Sequence, residues 1–566
     1  MKTKVGCWGW ESPHPAKCWR TRNAGSFVLI VMVFAAFFVC VAGSSRAQTF
    51  RVAGIVVNDA DGAPLGTTRI SLAEVQDRRK AESVITGADG RFEFRNVPAG
   101  KFSLEGARRD FMPTTYQWHE GFSTAIVTGA GLDTGNLVLR LIPLGSIAGK
   151  VIDEAGEPVR NADVKLAMHR GRLGEDRVST RGRALTDDEG KYEFRDLIPG
   201  EYFVSAAARP WYAVYPVFAN ENGVRTRTDT IAPELNVAYA RTYYNGATES
   251  AGATPLSVIK GERITADLHL NPVPALTVTV KAQEDSVRRY PAMLQQIDFD
   301  SPEQVTADTT SGPMPGEMVI RGVPPGRYAI TNLGRSGMLA ATGQVEVAED
   351  GQVIESKAPE STSTVKVRVK TLRGEDLRGD LSLSLRDEHR HTVGYAPVTG
   401  NGEAVFEGVA PGHYAVMAHF SQPPPYTIGK MVIQGVEVEG HDITVGDGAT
   451  VEVDATLMAG IVSVEGVVKR KDGKPVAGAM VALVPRGKDA RTHFERIRWD
   501  QSDLDGTFTV RQILPGKYTL IAVENAWGTP WLKEVEKYLP HGQELTIGEL
   551  MNAPVTLPEP VEAQTR

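Results

Sequence analysis

The chain has 566 residues, 42% hydrophobic and 23% charged, with a formal net charge of −7. That length exceeds what one hydrophobic core serves and points to several domains, and the mild acidity argues against a general nucleic-acid binder, which needs a basic face. All three cysteines (Cys7, Cys18, Cys40) precede Ala47. A chain beginning after them has no disulfide, no thiolate zinc site and no cysteine nucleophile, so its domains depend on core burial alone.

The first element reads as an export signal. Lys2, Lys4, Lys17, Arg20 and Arg22 precede an apolar run from Phe27 to Ala42, and Ser45-Arg46-Ala47 offers small residues for cleavage. The run is short for a membrane span of ~20 residues, so we expect a mature N-terminus near Gln48; an uncleaved anchor, with the membrane reached only through this segment, is the alternative.

Beyond it one phrase recurs five times: NVPAGKFSL from Asn96, DLIPGEYFV from Asp196, GVPPGRYAI from Gly322, GVAPGHYAV from Gly408 and QILPGKYTL from Gln512. Ten residues before each turn glycine stands another: Gly90, Gly190, Gly316, Gly402 and Gly506. Counted from it, offsets 2, 4, 7, 12 and 14 are apolar or aromatic in every copy, as in Tyr192, Phe194, Leu197, Tyr202 and Val204. Offsets 2 and 4 put two side chains on one strand face while Glu193 and Arg195 face water. The Pro-Gly pair predicts a type II turn with positive φ at the glycine. The tyrosine after it closes the end of a core, and Phe102 shows that its hydroxyl is dispensable in one copy.

Three copies keep an opening hairpin, at Gly54–Pro64, Gly149–Pro158 and Gly466–Pro475. Thr277–Val280 and Val365–Val369 replace it in the two divergent copies. Helical periodicity is nearly absent. The expected architecture is all-β: a tandem array of about five antiparallel, immunoglobulin-like or transthyretin-like β-sandwiches after a signal peptide (1–47), over 48–143, 144–272, 273–360, 361–457 and 458–566. These are modules 1 to 5 below.

GKVIDEAGEPVRNADVKL (Gly149 to Leu166) with TDDEGKYEFRDLIPGEYFV (Thr186 to Val204) resembles the carboxypeptidase regulatory-like domain, a transthyretin-like sandwich among the carbohydrate-binding-like folds. The resemblance implies a fold strongly and a function weakly. It invites a search for the zinc peptidase that such domains accompany, which uses His-x-x-Glu. His119, His169 and His493 are followed three residues on by Phe122, Arg172 and Arg496, so that motif is missing.

Other candidates fare no better. His389-Arg390-His391 offers two alternate-residue ligands, with Asp387 or Glu388 as the nearest third, and reads as a solvated strand or turn. Ser257-x-x-Lys260 has the spacing of a nucleophile pair that requires a helix, yet its flanks read as strand and turn. Asp59-x-Asp61-Gly62, Asp187-Asp188-Glu189-Gly190 and Asp503-x-Asp505-Gly506 lack the remainder of a calcium loop and read as turns held by local hydrogen bonds. Adhesin sandwiches that form a Lys–Asn isopeptide bond use a glutamate four residues after the aromatic, where this chain has Gly106, Ala206, Asn332, Ala418 and Ala522. We expect no such bond, no catalytic residues, no metal and no cofactor.

What remains is surface. Module 2 carries an extension with Trp211, Tyr215, Tyr243 and Tyr244; module 5 carries Trp499, Trp527 and Trp531; and basic residues (Arg170, Arg172, Arg177, Arg181, Arg183; Lys488, Arg491, Arg496, Arg498) occupy one slot in both. Sugar C–H faces stack on such rings. The reading is a non-enzymatic exported protein, periplasmic or extracellular, that binds polysaccharide at Trp211, Tyr215, Tyr243, Tyr244, Trp527 and Trp531. The alternatives are an envelope spacer or assembly partner with no small ligand, whose rings pack between modules, and an enzyme of unrecognised type.

Overall fold

The computed structural model describes residues 48–566 except 78, 120, 130, 173–174, 216–217, 222–223, 228–230, 283–292, 300, 313, 315–316, 334–338, 357–362, 375, 378, 388–391, 421–425, 439, 460–461, 487–496, 527–530, 550 and 566. The export segment, His389–His391 and Trp527 therefore lie outside the described residues. The regular structure of the described residues is almost all strand, arranged as facing sheets.

Module 1 shows how the alternation becomes a sandwich. Arg91–Pro98 buries Phe92, Phe94 and Val97 while its charged residues stay outside, and it lies beside Thr49–Asn58 in one sheet. Facing it, Arg69–Glu74 pairs antiparallel with both Ala81–Ile85 and Gly100–Ala107. Ile70, Leu104, Ile126, Leu139 and Leu141 fill the space between. Comparable cores lie within each later module, around Ile147 and Tyr202, Val278 and Tyr328, Val365 and Val416, and Val464 and Tyr518. Most pairing is antiparallel. The opening strand of each module, however, runs parallel to its closing strand or strands, as at Gly54↔Leu137, Val278↔Gln352 and Thr364↔Thr450, and in module 5 Gly516–Glu524 also pairs parallel with Val561–Thr565.

The offsets 2, 4 and 7 have a structural cause. Between offsets 4 and 7 the strand takes one extra residue, so that Ile147 faces Phe194 while Gly145 faces Leu197, and Val464 faces Val510 while Val462 faces Ile513. This β-bulge returns the third apolar side chain to the core, which a strict period of two would have put at offset 6. The residue after Arg95, Arg195, Arg321, Glu407 and Arg511 turns left-handed to make it: Asn96 at φ 61°, Asp196 at 56°, Gly322 at 82°, Gly408 at 68° and Gln512 at 58°. Asn, Asp and Gly tolerate that conformation, and Gln512 is the costlier choice. The turn glycines Gly100, Gly326 and Gly516 have the expected positive φ, but at 159°, 155° and 154°, away from the type II value. A second demand for a special residue sits four positions earlier.

The glycine ten residues before the turn meets two constraints together in four copies; Gly316 of the third lies outside the described residues. Gly90, Gly190, Gly402 and Gly506 have φ between 71° and 81°, and a Cβ there would come within 2.5 to 2.7 Å of the carbonyl oxygen of Val56, Val151, Val369 or Val468. The tyrosine is equally consistent. The hydroxyls of Tyr202, Tyr328, Tyr414 and Tyr518 donate to the carbonyl four residues back at 2.8, 2.6, 2.8 and 2.9 Å. Replacing Tyr518 with Phe leaves the buried Leu514 carbonyl short of that donor and is expected to lower module 5 stability by about 1 kcal/mol, read from amide exchange of Gly516–Glu524.

One α-helix stands out among the described residues, Trp531–Tyr538. It lays Val535 and Tyr538 on Met480, Ala482, Val484, Ile521 and Val523, the sheet face turned away from the sandwich core. Met480–Pro485 is therefore buried along its whole length, which explains its unbroken apolar run. Trp531, expected in a ring-presenting loop, is the first residue of this helix. Trp499 packs against the same cluster.

The modules are not merely strung in series. Module 1 and module 5 meet across Gln501, which is buried and donates to the Gln117 carbonyl at 2.6 Å and to Thr124 Oγ1 at 2.8 Å. Asp503 accepts from Lys101 Nζ at 2.6 Å and from the Ala125 amide at 3.1 Å, and Leu504 reaches the module 1 core. The Asp503 turn, expected to serve only local hydrogen bonds, is thus half of an inter-module contact.

Candidate functional site

The extension of module 2 starts where Gly200–Ala207 ends and returns to the same sheet at Thr242–Tyr243 and Leu256–Val258. The chain between is free of the period-two constraint of the sandwich, and it sends its aromatic residues to three different environments.

Trp211 is 87% exposed. It meets Tyr212 edge to face, with ring centroids 5.7 Å apart. Tyr212 is fixed in turn, because its hydroxyl donates to Glu154, whose other carboxylate oxygen accepts from Tyr239 at 2.8 Å. Burial opposes ionisation of Glu154, yet the Tyr212 hydroxyl and the other donors hold its carboxyl below the usual value. The indole is therefore presented on a braced support with a carboxylate nearby. Basic tyrosine-rich loops are common solvated surface; an exposed tryptophan with its neighbour locked in place is less so.

Tyr215 and Tyr243 correct the expectation of a continuous sugar-binding platform. Tyr215 is 5% exposed; Arg209 covers its ring at 4.2 Å, and its other side lies against Gly322 of module 3. Tyr243 is 1% exposed and donates to Asp298 Oδ1 at 2.5 Å, with Phe299 standing edge-on against its ring. Burial, then the Asp298 charge, push its hydroxyl well above the usual pKa. Both rings pack at the junction of modules 2 and 3, and Tyr215 also lines the cleft there. Tyr244 is half-buried against the module 2 core.

An ion network closes the junction. Lys165, buried in Asp163–Arg172, contacts Asp298 at 2.7 Å and Glu303 at 2.6 Å. Arg183, from the second strand of the same hairpin, bonds both Glu303 and Asp163, the latter at 2.7 Å. Burial opposes the charge on Glu303, but hydrogen bonds from Lys165 and Arg183 outweigh it and keep the carboxyl ionised below its ordinary range. Arg209 makes a two-pronged contact with Asp308 at 3.1 and 3.2 Å. Beside this network lies a cleft of about 470 Å³ lined by Asp163, Arg183, Arg209, Arg241, Glu303 and Asp308. The basic slot noted in the sequence contributes Arg183 here; in module 5 Arg498 instead donates to the Gln512 carbonyl at 2.9 Å.

Ser257 lies in the strand Leu256–Val258 and Lys260 pairs with Asp59 of module 1 at 2.5 Å, so the two share no helical turn. Among the described residues no three His, Cys, Asp or Glu side chains gather as metal ligands, and no helix is long and apolar enough to cross a membrane. Sequence reasoning missed Arg209, Arg241, Asp298, Glu303 and Asp308. Only their charge could have signalled them, and charge alone does not separate a junction from a solvated loop.

Residues 51–133 and 146–230 match the family model described as the carboxypeptidase regulatory-like domain. A curated relative, the protocatechuate 3,4-dioxygenase beta chain of Burkholderia cepacia, is 30% identical over 137 residues, 21% of this chain and 58% of that one. This chain thus spans little more than half of that relative's length. Similar solved structures include a streptococcal ancillary pilin (14% identity, covering 50% of this chain and 100% of the pilin, TM-score 0.19). The Bacillus anthracis TIE protein is 13% identical (73% and 75% covered, TM-score 0.18), and the Streptococcus agalactiae minor pilin 10% (40% and 97% covered, TM-score 0.21).

Proposed function

Residues 51–133 and 146–230 are carboxypeptidase regulatory-like domains, and from that premise we propose that the protein is a non-enzymatic, exported binding or adhesion protein that holds glycan on module 2. Export rests on the basic segment, apolar run and small residues before Gln48. Glycan binding rests on one observation, the exposed indole of Trp211 above the Tyr212–Glu154–Tyr239 brace. A rigid ring loses little freedom when a sugar stacks on it, and the Glu154 carboxylate holds the neighbouring Tyr212 in place. Among the expected residues whose side chains are described, Trp211 is the most exposed, and the proposal centres on it.

A second reading has its own support. The buried Lys165 network and the Gln501 contact order the modules relative to one another, as a spacer or assembly partner of the envelope requires. Trp211→Ala decides between them. On the binding reading the variant loses retention in a polysaccharide affinity gel, by about tenfold in apparent affinity or more, with a nearly unchanged melting temperature. Retention equal to the wild type, or none by either protein across a broad glycan set, would leave the spacer reading.

A further inference from the structure

The cleft between modules 2 and 3 is balanced in charge but not in hydrogen bonds. Arg209 pairs with Asp308, Arg183 with Asp163 and Glu303, and Lys165 with Asp298 and Glu303, all at close range. Arg241 is held less closely. Its side chain is 4% exposed, its nearest carboxylate oxygen, on Asp163, is 4.0 Å away, and its one close hydrogen bond is a long one, 3.3 Å, to Ser205 Oγ. Its Nε has no hydrogen-bond partner at all. A guanidinium that deep in the protein normally has its donors filled, because each empty one forfeits the hydration it gave up on folding. Arg241 nevertheless forms part of the wall of a 470 Å³ cleft, a size that suits a small ligand.

We propose that this cleft is a binding site for an acidic saccharide unit, whose carboxylate lies against Arg241 and whose hydroxyls meet the surrounding charged side chains. The carboxylate supplies what Arg241 lacks, since a planar carboxylate matches a guanidinium edge with two parallel hydrogen bonds. The other walls argue for a polyhydroxylated remainder. Asp163, Glu303 and Asp308 are acceptors, Arg183 and Arg209 are donors, and Tyr215 and Thr306 add to the same lining. A hydroxyl both donates and accepts, so it fits such a lining, whereas an apolar ligand would strand these groups. The proposal rests on the glycan reading above and narrows it: Trp211 stands two residues beyond Arg209, so one chain segment supplies both a stacking ring and a wall of the charged cleft.

The experiment is isothermal titration of the full exported chain with a galacturonate trisaccharide, and in parallel with the neutral galactose trisaccharide and an acidic tripeptide. The acidic saccharide is expected to bind at least about tenfold more tightly than either, the advantage shrinking as salt is raised. Arg241→Gln is expected to erase that preference. Because Arg241 is buried, Arg209→Gln serves as a second variant at a half-exposed wall position and is expected to weaken the acidic ligand several-fold in a chain with wild-type melting. Equal binding of the neutral sugar, equal binding of the tripeptide, or an acid preference that survives both substitutions overturns the assignment. If neutral glycans bind through Trp211 and no acid preference exists, the cleft proposal fails alone. If no glycan binds at all, the broader reading fails with it.

Discussion

Lys165→Met is expected to destabilise the junction of modules 2 and 3 by about 3 to 5 kcal/mol, an effect large enough to free the two modules from each other. The wild-type ammonium is 3% exposed and lies between Asp298 and Glu303, themselves 1% and 15% exposed. Methionine fills the volume but leaves two carboxylates in a dry site. Glu303 retains Arg183, while Asp298 retains only neutral donors such as the Tyr243 hydroxyl. The cost therefore falls mainly on Asp298, and adding Asp298→Asn to the variant should recover much of the loss. Amide exchange in Met293–Asp298 and protease sensitivity near residue 272 read the outcome. A shift below about 0.5 kcal/mol would show the network to be solvated and of little account. The same network weakens in acid. The folded pKa of Glu303 lies below its unfolded value, so its contribution is complete above the unfolded pKa and is lost as pH falls through the folded one.

Asp500 in module 5 should behave in the opposite sense. Burial pushes its carboxyl up to about 6 from 3.8, against the opposing pull of the Thr509 and Gln501 amides. Because the folded value is the higher one, the ionised side chain is a penalty. It is absent below the unfolded pKa, grows between the two values and levels off above about 6 at roughly 2 to 3 kcal/mol. Asp500→Asn keeps an oxygen for the Thr509 amide, which bonds Oδ2 at 2.6 Å in the wild type, and removes the charge. The variant is expected to be more stable than wild type by about 2 kcal/mol at pH 8 and indistinguishable from it at pH 4, measured by amide exchange or denaturation of module 5. Destabilisation at pH 8 would mean that the charge itself is needed there.

The sandwich was legible because its constraints are local. Offsets 2, 4 and 7 record a strand, a bulge and a return to the core; the glycine ten residues before the turn records the close approach of a neighbouring strand; the tyrosine records a hydroxyl that reaches four residues back. Each signal lies within some twenty residues of chain. The turn glycine was legible as a positive-φ position, but Pro-Gly drew attention away from the second left-handed residue, the Asn, Asp, Gly or Gln four positions earlier. The helix was missed for want of length: eight residues make too few turns to display a period, although the apolar run of Met480–Pro485 already required cover on both faces.

The candidate site was legible only in part. An exposed Trp211 and a buried Tyr243 have the same aromatic character in sequence, and their difference depends on Asp298 and Phe299, which belong to another module. Lys165 and Asp298 are 133 positions apart, Lys101 and Asp503 402. Nothing in a hydrophobic pattern marks partners at such separations, because a buried ion pair replaces the apolar signal by which cores are recognised.

The contact between modules 1 and 5 changes how the array would answer a pull. In a simple string of domains, tension between the first and last passes through every linker, and the weakest middle module extends first. Here Lys101–Asp503 and Gln501 with its partners on Gln117 and Thr124 offer a shorter route for the load. Force applied across modules 1 and 5 is borne by that contact until it parts, and modules 2 to 4 stay slack. Once it opens, the intervening three modules are released as stored length. A chain built this way holds stiffly under small loads, lengthens abruptly above a threshold and re-engages when slack returns, since the intervening modules keep its two ends at high local concentration.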